Sequence, residues 1–156
     1  RDNIKYSILT NGLMFKEFHG KVPYVINNLQ ELGVSIDGAS KETYEKLRLG
    51  GKWEKIIESL ECLSNTKHKH GFQFSLHMVV QQDNYHELED MLELARAYNV
   101  DCLYLNKIED WNTNINFSKQ IFTQDPEFRS SLKKICDSFH PKTGNVPVVY
   151  NNVISA

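Results

Sequence analysis

Four short apolar runs recur along the chain, beginning near positions 4, 32, 72 and 102, and the 28, 40 and 30 residues between their starts each hold a helical pattern. This is the rhythm of βα units: a strand can pair in parallel with its successor only after a crossover, most often a helix, has carried the chain back. The run Leu32–Gly38 shows what such a strand carries. Leu32, Val34 and Ile36 alternate with Gly33, Ser35 and Asp37, so one side suits packed helices while a hydroxyl and a carboxylate share the other. They lie at the C-terminal end of the run, where parallel βα folds place their ligands.

The other runs repeat the division. Ile4–Leu9 closes on Thr10, Asn11 and Gly12, which favour a turn. From Phe72 to Val80, Phe72, Phe74, Leu76, Met78 and Val80 alternate with Gln73, Ser75, His77 and Val79, and Cys102–Ile108 adds Tyr104 and Asn106 on one side. Between the runs, Phe15–Leu29 reads as a helix broken by Gly20 and Pro23, and Ser40 caps a short helix that ends at Gly50 and Gly51. Lys52–Lys69 is a long amphipathic helix stopped by Gly71, and Tyr85–Tyr98 is another, with Asn99 as a left-handed cap. Residues 109–124 read as loop, Pro126 opens a helix to about Ser138, and the tail holds a weak strand, Val146–Tyr150, interrupted by Pro147 and without a readable role.

The expected fold is α/β: a partial (half) TIM-like barrel of parallel βα units, incomplete, with an α-helical C-terminal extension. Residues 1–110 form the barrel part and 111–156 a loop, helix and tail. The polar pairs Ser35 and Asp37, Ser75 and His77, Tyr104 and Asn106 favour a curved sheet with a wet concave side.

Charge narrows the function classes. Eighteen Lys and Arg against 20 Asp and Glu leave a net charge of −2 with no basic stripe, which argues against nucleic acid as partner. No apolar run approaches the roughly 18 residues of a membrane span and no secretory signal is visible, so a cytoplasmic setting is expected. Cys62, Cys102 and Cys136 match no chelating loop and read as reduced structural thiols. His68 and His70 sit at a helix end, where cations complement the dipole, and no metal is assigned to them. His77 has two readings, a general base on the polar face or a hydrogen-bonded barrel histidine. The chain begins at Arg1 without methionine and is expected to be a fragment or a processed product.

Thr10–Gly12, then Val34–Arg48 with its Ser-Ile-Asp-Gly segment and Arg48 thirteen residues after Ser35, then Gly50 and Gly51, then Val79–Asn84, stand in an informative order and spacing. Over positions 4 to 108 they resemble the latter half of the radical S-adenosylmethionine (radical SAM) partial barrel, in the branch that carries a C-terminal cysteine-rich SPASM region. The resemblance implies that the strands are the third to sixth of six βα units. It implies that Ser35 binds the ribose or methionine carboxylate of S-adenosylmethionine, that Arg48 pairs with that carboxylate, and that Leu105 and Asn106 fall near adenine. It implies that Asp37 belongs with these cofactor-binding residues, supporting the turn or reaching the substrate, and that Ser75, His77 and Tyr104 face the substrate, a small molecule or peptide.

The family's Cys-x-x-x-Cys-x-x-Cys loop, which holds a [4Fe–4S] cluster, is absent from this sequence, as are the glycine-rich second-strand motif and the SPASM cysteines. The expected function is therefore part of a radical SAM oxidoreductase, unable alone to generate a 5′-deoxyadenosyl radical. The competing reading is an independent small-molecule or anion-binding βα module without redox chemistry. A barrel beginning at its third strand leaves Ile4–Leu9 as an open edge, which predicts either self-association there or a tail folded back toward the gap.

Overall fold

The computed structural model describes residues 4–108, 126–138 and 146–151. In chain order the elements are β1 (Tyr6–Thr10), α1 (Phe15–Phe18), a 3-10 turn (His19–Lys21), α2 (Pro23–Asn27), β2 (Leu29–Ser35), α3 (Lys41–Leu47) and α4 (Trp53–His70). They continue with β3 (Gln73–Val80), a 3-10 turn (Tyr85–Glu87), α5 (Leu88–Ala97), β4 (Cys102–Lys107), α6 (Pro126–Ser138) and β5 (Val148–Asn151). The five strands form one sheet in the order β1-β2-β3-β4-β5, every neighbouring pair parallel. β1 and β5 do not meet, so the sheet stays open, as the half-barrel reading requires.

The register explains where the core lies. Val34 pairs with Leu76 and Leu76 with Leu103, while Met78 pairs with Leu105. All five are fully buried, together with Ile56, Leu60 and Leu63 of α4 and Met91 and Ala95 of α5. Each large side chain buried this way contributes about 1.5–3 kcal/mol. The helix ends follow the sequence: Ser40 Oγ accepts from the Thr43 amide at 3.2 Å, Gly71 takes a left-handed φ of 72°, and Asn99 takes 53°.

Two expectations need correction. β2 begins at Leu29, three residues before the strand read from sequence. A register shift between Tyr6 and Ser7 breaks its alternation, so Leu29 and Leu32 are both buried despite their odd spacing. The tail does not fold toward β1: β5 pairs with β4 at the opposite edge, and Pro147 accepts from the Leu103 amide at 2.9 Å. An edge position accommodates that proline, whose missing N–H costs nothing on a strand with one neighbour. Residues 109–125 lie outside the described set, as does the side chain of Cys136. No helix among the described residues is long and apolar enough to cross a membrane.

Candidate functional site

With the helices on one side, the alternate residues of β2, β3 and β4 form the other. The parallel register sets Gly33 beside Ser75 and Ser75 beside Cys102, sets Ser35 beside His77 and His77 beside Tyr104, and sets Val79 beside Asn106. These side chains are linked. Ser75 Oγ donates to Glu31 Oε1 at 2.8 Å and lies 3.1 Å from His77 Nε2, and the His77 ring stacks on Tyr104 with centroids 4.5 Å apart. Burial lowers the His77 pKa from its ordinary value, against a smaller upward pull from Glu31, so the ring is neutral at pH 7. Burial likewise raises the Cys102 thiol, outweighing a hydrogen bond from Tyr104. The thiol therefore stays protonated.

Gly33 makes this arrangement possible. A Cβ there would stand 2.7 Å from His77 Nε2 and 2.9 Å from its Cδ2, so the imidazole lies over bare backbone.

The ends of β2 and β3 are tied by buried polar groups. Asp37 Oδ1 accepts from the Val79 amide at 2.8 Å, and Arg48 Nε stands 2.7 Å from Asp37 Oδ2. That Nε has no hydrogen bond of good geometry, so the contact is an ion pair rather than an aligned hydrogen bond. Fully buried Asn84 donates to the carbonyls of Asp37 and Val79 at 3.0 and 2.8 Å. Glu87, reaching across from the start of α5, accepts from the hydroxyls of Ser40 (2.5 Å) and Thr43 (2.6 Å) and from the Ala39 amide (2.7 Å). Burial alone would raise the Glu87 pKa; the hydroxyls and amides together outweigh it and hold the carboxyl below its ordinary value.

Five of the residues singled out in the sequence thus share one face: Ser35, Ser75, His77, Tyr104 and Asn106. Asp37 and Arg48 meet at the strand ends beside it. Leu105 is not among them; it is fully buried on the helix side, paired with Met78. Alternation explains this, since neighbours in a strand point to opposite faces. Glu31, Asn84 and Glu87 were missed. Continuing the alternation back from Gly33 would have found Glu31; Glu87, and Asn84 through its bond to the Asp37 carbonyl, act across more than 40 residues of sequence.

A separate apolar cleft of about 210 Å³ lies beside β1, lined by Ile8, Met14, Phe18 and Val22 among others. Ile4, Leu9 and Tyr24 are exposed in the same part of the chain. Cys62, on α4, has its sulfur 3.7 Å from His19 Nδ1. Among the described residues no group of three His, Cys, Asp or Glu could hold a metal ion.

No family model matches the chain, and no curated protein does. Solved structures do match. SuiB of Streptococcus suis, bound to its precursor peptide SuiA, superposes with a TM-score of 0.72 at 12% identity, over 96% of this chain and 32% of that one. SuiB bound to S-adenosylmethionine gives 0.66 at 12% identity, with the same coverage. Native anSMEcpe with bound AdoMet and the Kp18Cys peptide gives 0.66 at 16% identity, over 93% of this chain and 40% of that one. The chain spans about a third of the length of SuiB, and over that span it has the same fold.

Proposed function

We propose that this chain is part of a radical SAM oxidoreductase and carries some of its S-adenosylmethionine- and substrate-facing surface. The observation that carries the reading is the polar row Ser35–His77–Tyr104 near the C-terminal ends of parallel strands, in a fold shared with two proteins solved with S-adenosylmethionine. Both proteins are also solved with peptides, which favours a peptide as substrate.

The donor set fits S-adenosylmethionine. Ser35 offers a hydroxyl to the ribose or methionine carboxylate. Arg48 spends its Nε on Asp37, and among the described residues no second carboxylate pairs with it, which leaves its terminal nitrogens for the methionine carboxylate. Asn106 is the proposed adenine contact, by the resemblance, and Leu105 can take part there only through its backbone, since its side chain is in the core. Asp37 is a positioning group: it orients Arg48 and pins the end of β3.

The [4Fe–4S] cluster does not fit the described residues, because Cys62 on α4 and Cys102 on β4 belong to no group of three ligating side chains. Its ligands would come from another part of the enzyme, since this sequence holds no Cys-x-x-x-Cys-x-x-Cys.

Calorimetric titration of the 156-residue chain with S-adenosylmethionine tests the reading. Weak binding is expected, reduced roughly 10- to 150-fold by Arg48→Ala, the equivalent of about 1.5–3 kcal/mol for a lost charged hydrogen bond. Ser35→Ala should reduce it less. Binding unaltered in both variants, with folding checked by circular dichroism, would reject these assignments.

A further inference from the structure

The Glu31–Ser75–His77 chain leaves one nitrogen uncommitted. Ser75 has a single hydroxyl proton, and it goes to the Glu31 carboxylate at 2.8 Å. Toward His77 Nε2, 3.1 Å away, Ser75 can therefore only accept, so Nε2 must carry the ring proton. In a neutral imidazole the other nitrogen, Nδ1, then bears a lone pair, and no partner for it is found among the described residues. Its ring plane is fixed by Tyr104 at 4.5 Å on one side, and Gly33 supplies the space against which Nε2 and Cδ2 rest.

We propose that His77 is a proton acceptor toward the substrate, presenting Nδ1 to an N–H, O–H or S–H donor of a bound peptide, with Glu31 and Ser75 as its positioning residues. This rests on the reading that the polar face holds substrate. The step balances simply. The proton passes from the substrate heteroatom to Nδ1, the electron pair stays on the substrate, and the ring becomes an imidazolium that still donates from Nε2 to Ser75. The positive charge is offset by Glu31 through the same hydroxyl. Facing the ring are Glu31 from β2, Ser75 from its own strand, and Tyr104 and Cys102 from β4. Burial raises the pKa of Cys102, and the neighbouring Cys102 followed by burial raises that of Tyr104; both are therefore neutral at pH 7, and Glu31 is the charge that matters.

The test is 15N NMR of the imidazoles in the whole chain, with His77→Gln used to assign the His77 signals among those of the six histidines. Near pH 8, His77 should be the Nε2–H tautomer with an unprotonated Nδ1. Ser75→Ala should release it to a mixture of tautomers. Glu31→Gln keeps an acceptor for Ser75 but removes the charge, and should hold the tautomer while moving the His77 titration to lower pH. In parallel, acylation by diethyl pyrocarbonate, mapped by mass spectrometry, should modify His77 in the parent chain. An Nδ1–H tautomer, a tautomer unmoved by Ser75→Ala, or a His77 inert to the reagent in a folded chain each overturns the proposal. Failure of the wider reading looks different: the tautomer and its response to Ser75→Ala would be as described, while S-adenosylmethionine would not bind, and the substrate role of His77 would fall with that result.

Discussion

The two faces of one sheet differ in what holds them. On the helix side, Val34, Phe74, Leu76, Met78, Leu103 and Leu105 are all fully buried, and their order comes from close packing without direction. On the other side Glu31, Ser75, His77 and Tyr104 are joined by two short polar contacts and one ring stack, which depend on direction and on protonation. Close packing and directional polar contacts thus occupy alternate residues of the same strands. Either can therefore be changed while the other is watched.

The largest expected effect is on the packed face. Phe74→Ala removes a fully buried ring and should cost about 3–5 kcal/mol, enough to abolish or nearly abolish cooperative unfolding in a urea titration. Next comes the seam between the faces. Asp37→Ala deletes the acceptor of the Val79 amide and leaves Arg48 without its carboxylate. With both side chains less than a third exposed, a loss of about 1–3 kcal/mol is expected, read as a lower melting temperature. A loss as large as that of Phe74→Ala would mean that the strand ends, not the core, hold the sheet.

The smallest effect belongs to the open face and appears only with pH. The folded-state pKa of His77 lies below the ordinary 6.5, so the unfolded chain binds its proton first as pH falls. Stability should be complete above about 6.5 and decline as pH drops through the interval down to the lowered folded value. His77→Gln should flatten that part of a pH–stability curve and leave the curve near pH 8 almost unmoved. An identical acid slope in the variant would show that the ring is not buried in its neutral form.

The division between faces was legible in the sequence because alternation is a local signal. Phe74, Leu76 and Met78 declare one side of β3 and Ser75 and His77 the other. The caps at Ser40, Gly71 and Asn99 were legible for the same reason. What escaped was long-range. The strand read from sequence began at Leu32, one residue after Glu31, and so left out the carboxylate behind Ser75 and His77. Asn84 was named only as the last residue of the segment Val79–Asn84, yet it is fully buried and bridges two carbonyls. Val146–Tyr150 looked too weak to place; pairing with β4 gives β5 an order its composition does not. The open β1 edge, with Ile4 and Leu9 exposed beside it, keeps self-association through that strand as our proposal.

We propose that the polar face near the C-terminal ends of β2, β3 and β4 receives S-adenosylmethionine. Amide chemical-shift mapping of the 15N-labelled chain during titration with S-adenosylmethionine tests it most directly, because it reports weak binding residue by residue. Shifts should concentrate at Ser35–Gly38, His77–Val79 and Tyr104–Asn106, and fade in Arg48→Ala. Shifts confined to the apolar cleft around Ile8, Met14 and Phe18, or none at millimolar ligand in a folded chain, would contradict it.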